Sequence, residues 1–452
     1  MNQNLRLAMA TPDRGFWFAV RAGLALLFLA WLLGPAALAR AALITPYINF
    51  TGGWSDNVRL TQVARSDFYI KAGPGIRGEW KWPGHEFIAS GEVMYANYLD
   101  LDELDGFDSA SLGAIYKYQP SPRWRFEAND RFTSTFDKAE LADTGELVTV
   151  RGDTGRVDRN TMTLRLTHQY SQHNSISAAY TNTYTKGQDE SQETSLFNRL
   201  FLVWTHRLNY HWEFQAGGSV VRTDYNESPD EERGRAFTRL TRLMGPAKRI
   251  WGELSYTINR ASTETEVVGD SRNYQVTAFN AGIFYGVSPR LDWRLSTGWS
   301  YVNGDQQSND AASQGFPTLN GEINYRGRRW RLRGYAIADL GQFDYLGDNS
   351  GLTVSHRAGI SWTYNLTRLQ SLSLTAEYVR NDYQQAQDIA LTSSQGVVDS
   401  YRFIARWNCQ LYRHLRISLE YSYLNRDAEV DADDRQQNQV LLMLYTDYPF
   451  RW

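Results

Sequence analysis

The sequence is poor in three things that usually anchor or direct a chain of its length. It has one cysteine, Cys409, in 452 residues. A single thiol cannot form an internal disulfide, and no cysteine-based metal or haem motif is present. It has almost no net charge, −3 from 47 Lys and Arg against 50 Asp and Glu, so no basic field points to nucleic acid. It also lacks any long apolar run past residue 43. Hydrophobic residues make up 42% and the mean hydropathy is −0.51, far too polar for a bundle of membrane helices. A β-barrel survives these exclusions, because only alternate residues of its strands meet lipid. What is abundant is aromatic: 14% of residues, with 27 Tyr and 15 Trp, a supply that suits girdles at two membrane interfaces.

The N-terminus has the layout of an export signal. Arg14 and Arg21 precede the apolar run Ala22 to Leu33, and small residues follow at Ala37, Ala39 and Ala41. Either Ala37-Leu38-Ala39 or Ala39-Arg40-Ala41 fits an A-x-A cleavage site. The run is short for a membrane helix, the alternative being an uncleaved anchor. The expected division is a signal peptide over 1–42 and a barrel over 43–452. An exported chain without a helical span enters a membrane as a barrel.

The C-terminal stretch Asn438 to Trp452 carries a period-2 stripe: Val440, Leu442, Leu444, Thr446, Tyr448, Phe450 and Trp452. One face of this strand meets an apolar medium. A terminal aromatic strand resembles the closing strand of bacterial outer-membrane barrels, so Tyr448, Phe450 and Trp452 are expected to be its signal to the barrel-assembly machinery. Upstream, strand-like runs repeat, with short turns and long polar loops alternating between them. Pro83-Gly84, Pro120 to Arg123, Ser288-Pro289-Arg290 and Gly327-Arg328-Arg329 are examples of the turns. Asp137 to Asp158, Thr263 to Arg272, Gln342 to Gly351 and Gln384 to Asp399 are examples of the loops. This asymmetry predicts an all-β, transmembrane, antiparallel up-and-down barrel. About twenty strands are expected, or eighteen if a hairpin is miscounted, with turns periplasmic and loops extracellular. A soluble propeller or tandem sandwich would not require long loops at one end only. Three places break the pattern. Leu196 to His206 is apolar on both parities, Ala236 to Met244 carries Arg239 and Arg242 on opposite parities, and Asp130 falls on the lipid parity. A β-bulge resetting the parity, or a place at the rim, would account for Asp130.

With the apolar parity toward lipid, the other parity lines the lumen. Its expected pore-lining residues are Arg77, Glu79, Arg125, Glu127, Arg131, Arg294, Arg331, Arg333, Arg402, Arg406 and Glu420, with Glu213, Asp292 and Arg416 on the same parity. Cross-strand ion pairs that only hydrate and stiffen the wall are one reading. An aqueous conduit whose arginine excess favours anionic or hydroxyl-rich cargo is the other. The loop Asp137 to Asp158 is the candidate constriction.

Nothing in the sequence assembles an enzyme. Of seven histidines, His173, His211 and His414 fall in short turns and His85 and His206 beside them. His206 and His211 lack a third metal ligand. The acidic loop with Asp100, Asp102, Glu103 and Asp105 lacks the glycine and terminal glutamate of an EF-hand, and reads as a solvated loop. No catalytic residue, metal or cofactor is expected.

Near the mature N-terminus the resemblance is more specific. Ile44-Thr45-Pro46-Tyr47-Ile48, Trp54-Ser55-Asp56-Asn57-Val58-Arg59-Leu60-Thr61, Ser66-Asp67-Phe68 and Gly73-Pro74-Gly75-Ile76 resemble the opening of the outer-membrane β-barrel porins associated with the PEP-CTERM/exosortase system. The corner here begins Trp-Ser rather than Tyr-Thr, and the motifs span only residues 40–80. The resemblance implies an outer-membrane conduit for exported exopolysaccharide in a Gram-negative bacterium. It would be surrounded by lipid and lipopolysaccharide and paired with a periplasmic polysaccharide-export ring protein. Basic short turns (Arg123, Lys248, Arg290, Arg328, Arg329, Arg368, Arg413) would face that partner, or solvent. A diffusion porin for small solutes and a structural or adhesion barrel with a closed lumen remain the alternatives.

Overall fold

The structure, a computed structural model, describes residues 42–60, 63–136, 156–187, 194–226, 230–261, 273–304, 314–345, 348–383, 397–428 and 434–451. Alternating apolar and polar residues rich in Tyr, Val, Ile, Thr and Trp favour strands, and twenty of them form. They are β1 (Ala42–Ser55), β2 (Asp67–Trp82), β3 (His85–Tyr98), β4 (Gly106–Ser121), β5 (Trp124–Thr135), β6 (Val157–His168) and β7 (Asn174–Gly187). Then come β8 (Ser195–Arg207), β9 (Trp212–Tyr225), β10 (Glu231–Leu243), β11 (Lys248–Ala261), β12 (Tyr274–Ser288), β13 (Leu291–Gly304) and β14 (Gln314–Arg326). The last six are β15 (Trp330–Tyr345), β16 (Asp348–Asn365), β17 (Gln370–Tyr383), β18 (Val397–Tyr412), β19 (Leu415–Ala428) and β20 (Arg435–Asp447, resumed over Phe450–Arg451). Each pairs antiparallel with its chain neighbours, and β20 returns to pair with β1. The sheet therefore closes into a barrel, with its first and last strands joined.

The barrel is apolar outside and polar inside. Exposed side chains such as Phe68, Ile70, Ile76, Leu200, Leu202, Leu254, Leu295, Leu319 and Leu442 share the outward parity. Rings gather at both ends of this belt. At the short-turn end Trp80 packs on Phe87 at 5.3 Å, Trp124 on His168 at 3.7 Å and Tyr325 on Trp330 at 4.5 Å. Toward the long loops lie Phe68, Tyr95, Trp299, Tyr301 and the Tyr378–Tyr401 pair. On β13 the span from Trp293 to Tyr301 is about 26 Å along the strand, or about 20 Å along the membrane normal for a strand tilted by about 40°. The rings extend beyond both ends of that span and bring it to about the 25 Å apolar band of a transmembrane barrel, and the barrel is membrane-spanning.

Asp130 is neither at a bulge nor at a rim. β5 keeps unbroken register with β6 over its whole length and with β4 from Ser109 to Tyr118, and Asp130 sits mid-strand facing outward between Ala114 and Met162. The described residues of the expected loop Gln342 to Gly351 are instead strand: β15 runs to Tyr345 and β16 starts at Asp348. The acidic loop is not simply solvated. Leu101 is 1% exposed, packed with Tyr69, Ala96 and Tyr98. Glu103 pairs with Arg59 and Arg65, and Asp67 accepts the backbone N–H groups of Asp100 and Leu101. Most of Asp137 to Asp158, and the export signal up to Ala41, lie outside the described residues.

The residues of the Trp54-Ser55-Asp56-Asn57 corner hold the seam where the barrel closes. Asp56 accepts from the Asn438 backbone N–H at 2.6 Å and from its carboxamide at 2.7 Å. Asn57 donates to the Gln436 carbonyl, and Gln437 donates to Ser55 and to the Asn57 carbonyl. Ser55 and Asn57 are each 1% exposed. The Gly73-Pro74-Gly75 kink has a separate use. A Cβ on Gly75 would stand 2.2 Å from the Tyr47 ring, so the glycine lets Tyr47 lie flat on the wall and donate to Glu92. Replacing Asp56 by Ala is expected to cost about 1–3 kcal/mol, because it strands donors on β20. Urea unfolding of the barrel in detergent reads this loss, and an unchanged midpoint would show that the backbone ladder alone holds the seam.

Candidate functional site: the cationic inner wall

Every residue expected to line the lumen lies on the inward parity, but the chain assigns them different surroundings. Arg77 pairs with Glu79 on its own strand at 3.0 Å, and Arg125 stands 3.9 Å from Glu127. Arg333 reaches Glu322 at 3.0 Å, and Arg294, across from Glu322 in the ladder, makes no ion pair among the described residues. Arg402 pairs with Glu377, whose other oxygen accepts from Tyr335. Arg406 pairs with Glu420, itself 7% exposed. Arg131 and Arg331 have no carboxylate within salt-bridge distance among the described residues. Tyr448 and Phe450 are exposed, Phe450 beside Ile44 on β1. Trp452 lies outside the described residues.

A cationic patch lies on β8 and β10, where sequence periodicity is least clear, around a carboxylate on β11. Register with β9 turns Arg199, Arg233, Arg235 and Arg239 inward. One carboxylate, Glu253 on β11, serves two of them: Arg235 at 3.0 Å and Arg239 through Nε at 2.9 Å. Glu253 is 6% exposed while both guanidinium groups stay open to the lumen. The buried anion thus fixes the cations and leaves them presented. Rings stiffen the array. Phe201 and Phe237 lie parallel with centroids 6.2 Å apart, Arg199 sits over Phe201 and Arg239 over Trp251. No carboxylate reaches Arg199 among the described residues, and the charges that act on it are Arg235 and Arg233. Apolar residues on both parities of β8 hid this patch from a parity reading, because Phe197, Phe201 and Val203 are inward rings and aliphatics. The clean alternation of β9, used as a ruler for its neighbours, is the signal that reveals it.

The β15–β16 hairpin narrows the lumen. β14 and β15 pair only as far as Leu319 with Ala338, although β15 runs on to Tyr345. Beyond the split, Leu340 packs against the cluster of Tyr274 and Val302, which Phe316 also covers. Leu340 is on the outward parity of β15, whereas those three are on the inward parity of β12, β13 and β14. The hairpin therefore folds in and lays its outer face on the inner wall. Asp339, at the same bend, lies within electrostatic reach of Arg357 and of Arg235 on β10, five strands away around the wall. This hairpin is an inward element among the described residues; most of Asp137 to Asp158, the constriction expected from sequence, lies outside them.

No family model and no curated protein matches the chain. Its structural neighbours are large barrels. The siderophore receptor PirA from Acinetobacter baumannii shares 7% identity at a TM-score of 0.49, covering 90% of this chain and 80% of that one. PirA from Pseudomonas aeruginosa shares 11% at 0.47, with the same coverage. OpdO from Pseudomonas aeruginosa shares 12% at 0.40, covering 92% and 99%. Similarity this low leaves function to be argued from the chain's own wall and hairpin.

Removing residues 341–352 is expected to raise single-channel conductance in planar bilayers. Unchanged conductance would place the narrowest section elsewhere.

Proposed function

We propose that this chain is an outer-membrane pore for anionic cargo, specifically the conduit through which an acidic exopolysaccharide leaves the cell. The observation that carries the reading is the inner wall of β8, β10 and β11, where Arg199, Arg233, Arg235 and Arg239 face the lumen around one buried carboxylate. Among the described residues of the inward parity, Arg and Lys outnumber Asp and Glu. A polyanion moving along such a wall exchanges one guanidinium for the next without leaving the favourable field, and guanidinium groups also donate to sugar hydroxyls. The outer belt and paired girdles suit a bacterial outer membrane. The resemblance of the seam corner to the PEP-CTERM/exosortase-associated porins supports the polysaccharide cargo. On this reading the basic short turns, among them Arg290, Arg328 and Arg368, meet a periplasmic export ring. The terminal strand with Tyr448, Phe450 and Trp452 is presented to the assembly machinery. The chain works as a passage and not as an enzyme.

The inward β15–β16 hairpin favours a second reading, a diffusion porin for small anionic solutes, because it reduces the bore available to a polymer. A strain lacking the chain separates the two. Loss of surface polymer with build-up inside is expected for export. Unchanged surface polymer would overturn it and move the question to solute uptake by the purified barrel in liposomes. Both readings require anion preference. Arg199→Glu together with Arg235→Glu is expected to shift the reversal potential under a salt gradient toward cation selectivity, and no shift would remove the wall from the permeation path.

A further inference from the structure

Two aromatic rings lie together on the cationic wall. Phe237 on β10 is paired across the ladder with Gly217 on β9, and a Cβ on that glycine would stand 2.9 Å from the Phe237 ring. The missing side chain lets the ring lean across β9 toward β8. There it meets Phe201, with the two planes 10° apart and the centroids 6.2 Å apart. Both rings are inward and half-buried. Arg199 and Arg235 precede them by two residues on the same face, both on the long-loop side. Their guanidinium carbons stand 5.6 Å and 5.9 Å from the respective ring centroids. Ser219, inward on β9, is the ladder neighbour of both Phe201 and Arg235 and puts a hydroxyl on the same face.

Covering a glycine is the common service of rings on a sheet, and other inward rings perform it here. Tyr47 lies over Gly75, Tyr335 over Gly359 and Trp251 over Gly282. Each of these is otherwise engaged. Tyr47 and Tyr335 donate to Glu92 and Glu377, carboxylates that repel an anion. Trp251 is capped by Arg239 at 4.7 Å. The Phe201–Phe237 pair has no such neighbour. The carboxylate near it, Glu253, is buried and shared between Arg235 and Arg239, and Asp339 of the inward hairpin lies within electrostatic reach of Arg235. Arg199 makes neither a hydrogen bond nor an ion pair among the described residues. It is the guanidinium left for a ligand.

A ligand that uses both halves of this patch must carry two features. The faces of the rings are electron-rich, so they take up the C–H-lined face of a saturated ring and turn a carboxylate away. The guanidinium takes the carboxylate, through two parallel N–H donors. A plain polyanion gains from Arg199 alone, and a neutral sugar forgoes its charge. A pyranose that bears a carboxylate meets both. We propose that Phe201, Phe237 and Arg199 form a subsite for a uronic-acid residue, whose pyranose lies on the two rings while its carboxylate meets Arg199. This deepens the export reading and rests on it, since it names the sugar that the moving polymer presents to the wall.

The test records single-channel current through the purified barrel in planar bilayers and reads the dwell time of blocking events. The probes are oligogalacturonate, its methyl ester, which keeps the sugar and removes the charge, and an oligoglutamate of equal charge, which keeps the charge and removes the sugar. In wild type, oligogalacturonate is expected to dwell longest, by about tenfold over either control, as one stacked ring face contributes. Phe201→Leu/Phe237→Leu keeps apolar cover over β9 and removes the flat faces; its oligogalacturonate dwell is expected to fall to that of oligoglutamate. Arg199→Gln is expected to bring oligogalacturonate down to its methyl ester. Oligoglutamate that dwells as long as oligogalacturonate in an anion-selective wild type would overturn the subsite and leave the anionic pore standing. A difference between the two probes that survives the double leucine variant would overturn the subsite as well. A wild type with no anion preference and no block by either polyanion would remove the export reading together with it.

Discussion

Within a bilayer no water is available to satisfy a peptide group, and every other feature of this chain depends on that constraint. A sheet meets it only by closing, since an open edge would leave a row of unpaired N–H and C=O groups in hydrocarbon. Closure brings together the two strands farthest apart in sequence, β1 and β20. Their ladder is ordinary; what distinguishes the join is the cap above it. Asp56 and Asn57 bond to Gln436, Gln437 and Asn438 across more than 370 residues of chain. A segment that would otherwise be a polar hairpin corner is thereby tied to the far end of the chain.

Closure also inverts the usual polarity. Apolar side chains stay outside, and the interior collects charge that is cheap to keep because it is hydrated. Inside, carboxylates act as fixed points. Glu253, Glu377 and Glu420 are each well covered and hold one or two guanidinium groups that remain open to the lumen. The ion pairs contribute little to stability individually; their effect is to set where positive charge stands. The β15–β16 hairpin follows the same logic. Once it leaves the wall, the face that would have met lipid needs another apolar surface, and Leu340 finds it in the cluster of Tyr274 and Val302.

Much of this was legible in the sequence, for one physical reason. A strand's side chains alternate between two solvents, so parity alone separates Phe68 and Ile70 from Tyr69 and Lys71. The strand count, the short-turn and long-loop asymmetry and the inward parity of Arg77, Arg402 and Arg406 all follow from it. Parity fails where both faces carry the same kind of residue. In β8 the inward Phe201 and Val203 look like lipid contacts. In β10 Arg239 and Arg242 point opposite ways, one to the lumen and one to the short-turn rim. Asp130 looked like a misplaced parity and is a true outward carboxyl, held by an asparagine on the next strand.

By itself the sequence determined the barrel, its approximate strand number, the facing of most side chains and the excess of arginine inside, because each depends only on local alternation and on turn chemistry. Tertiary structure decided the rest. Which carboxylate meets which guanidinium, that one glutamate serves both Arg235 and Arg239, that the Ser55-Asp56-Asn57 corner locks the seam and that the β15–β16 hairpin turns inward are all set by contacts between residues far apart in the chain. Such contacts come from register and from where the closed wall brings strands together. Period-2 alternation carries no information about either.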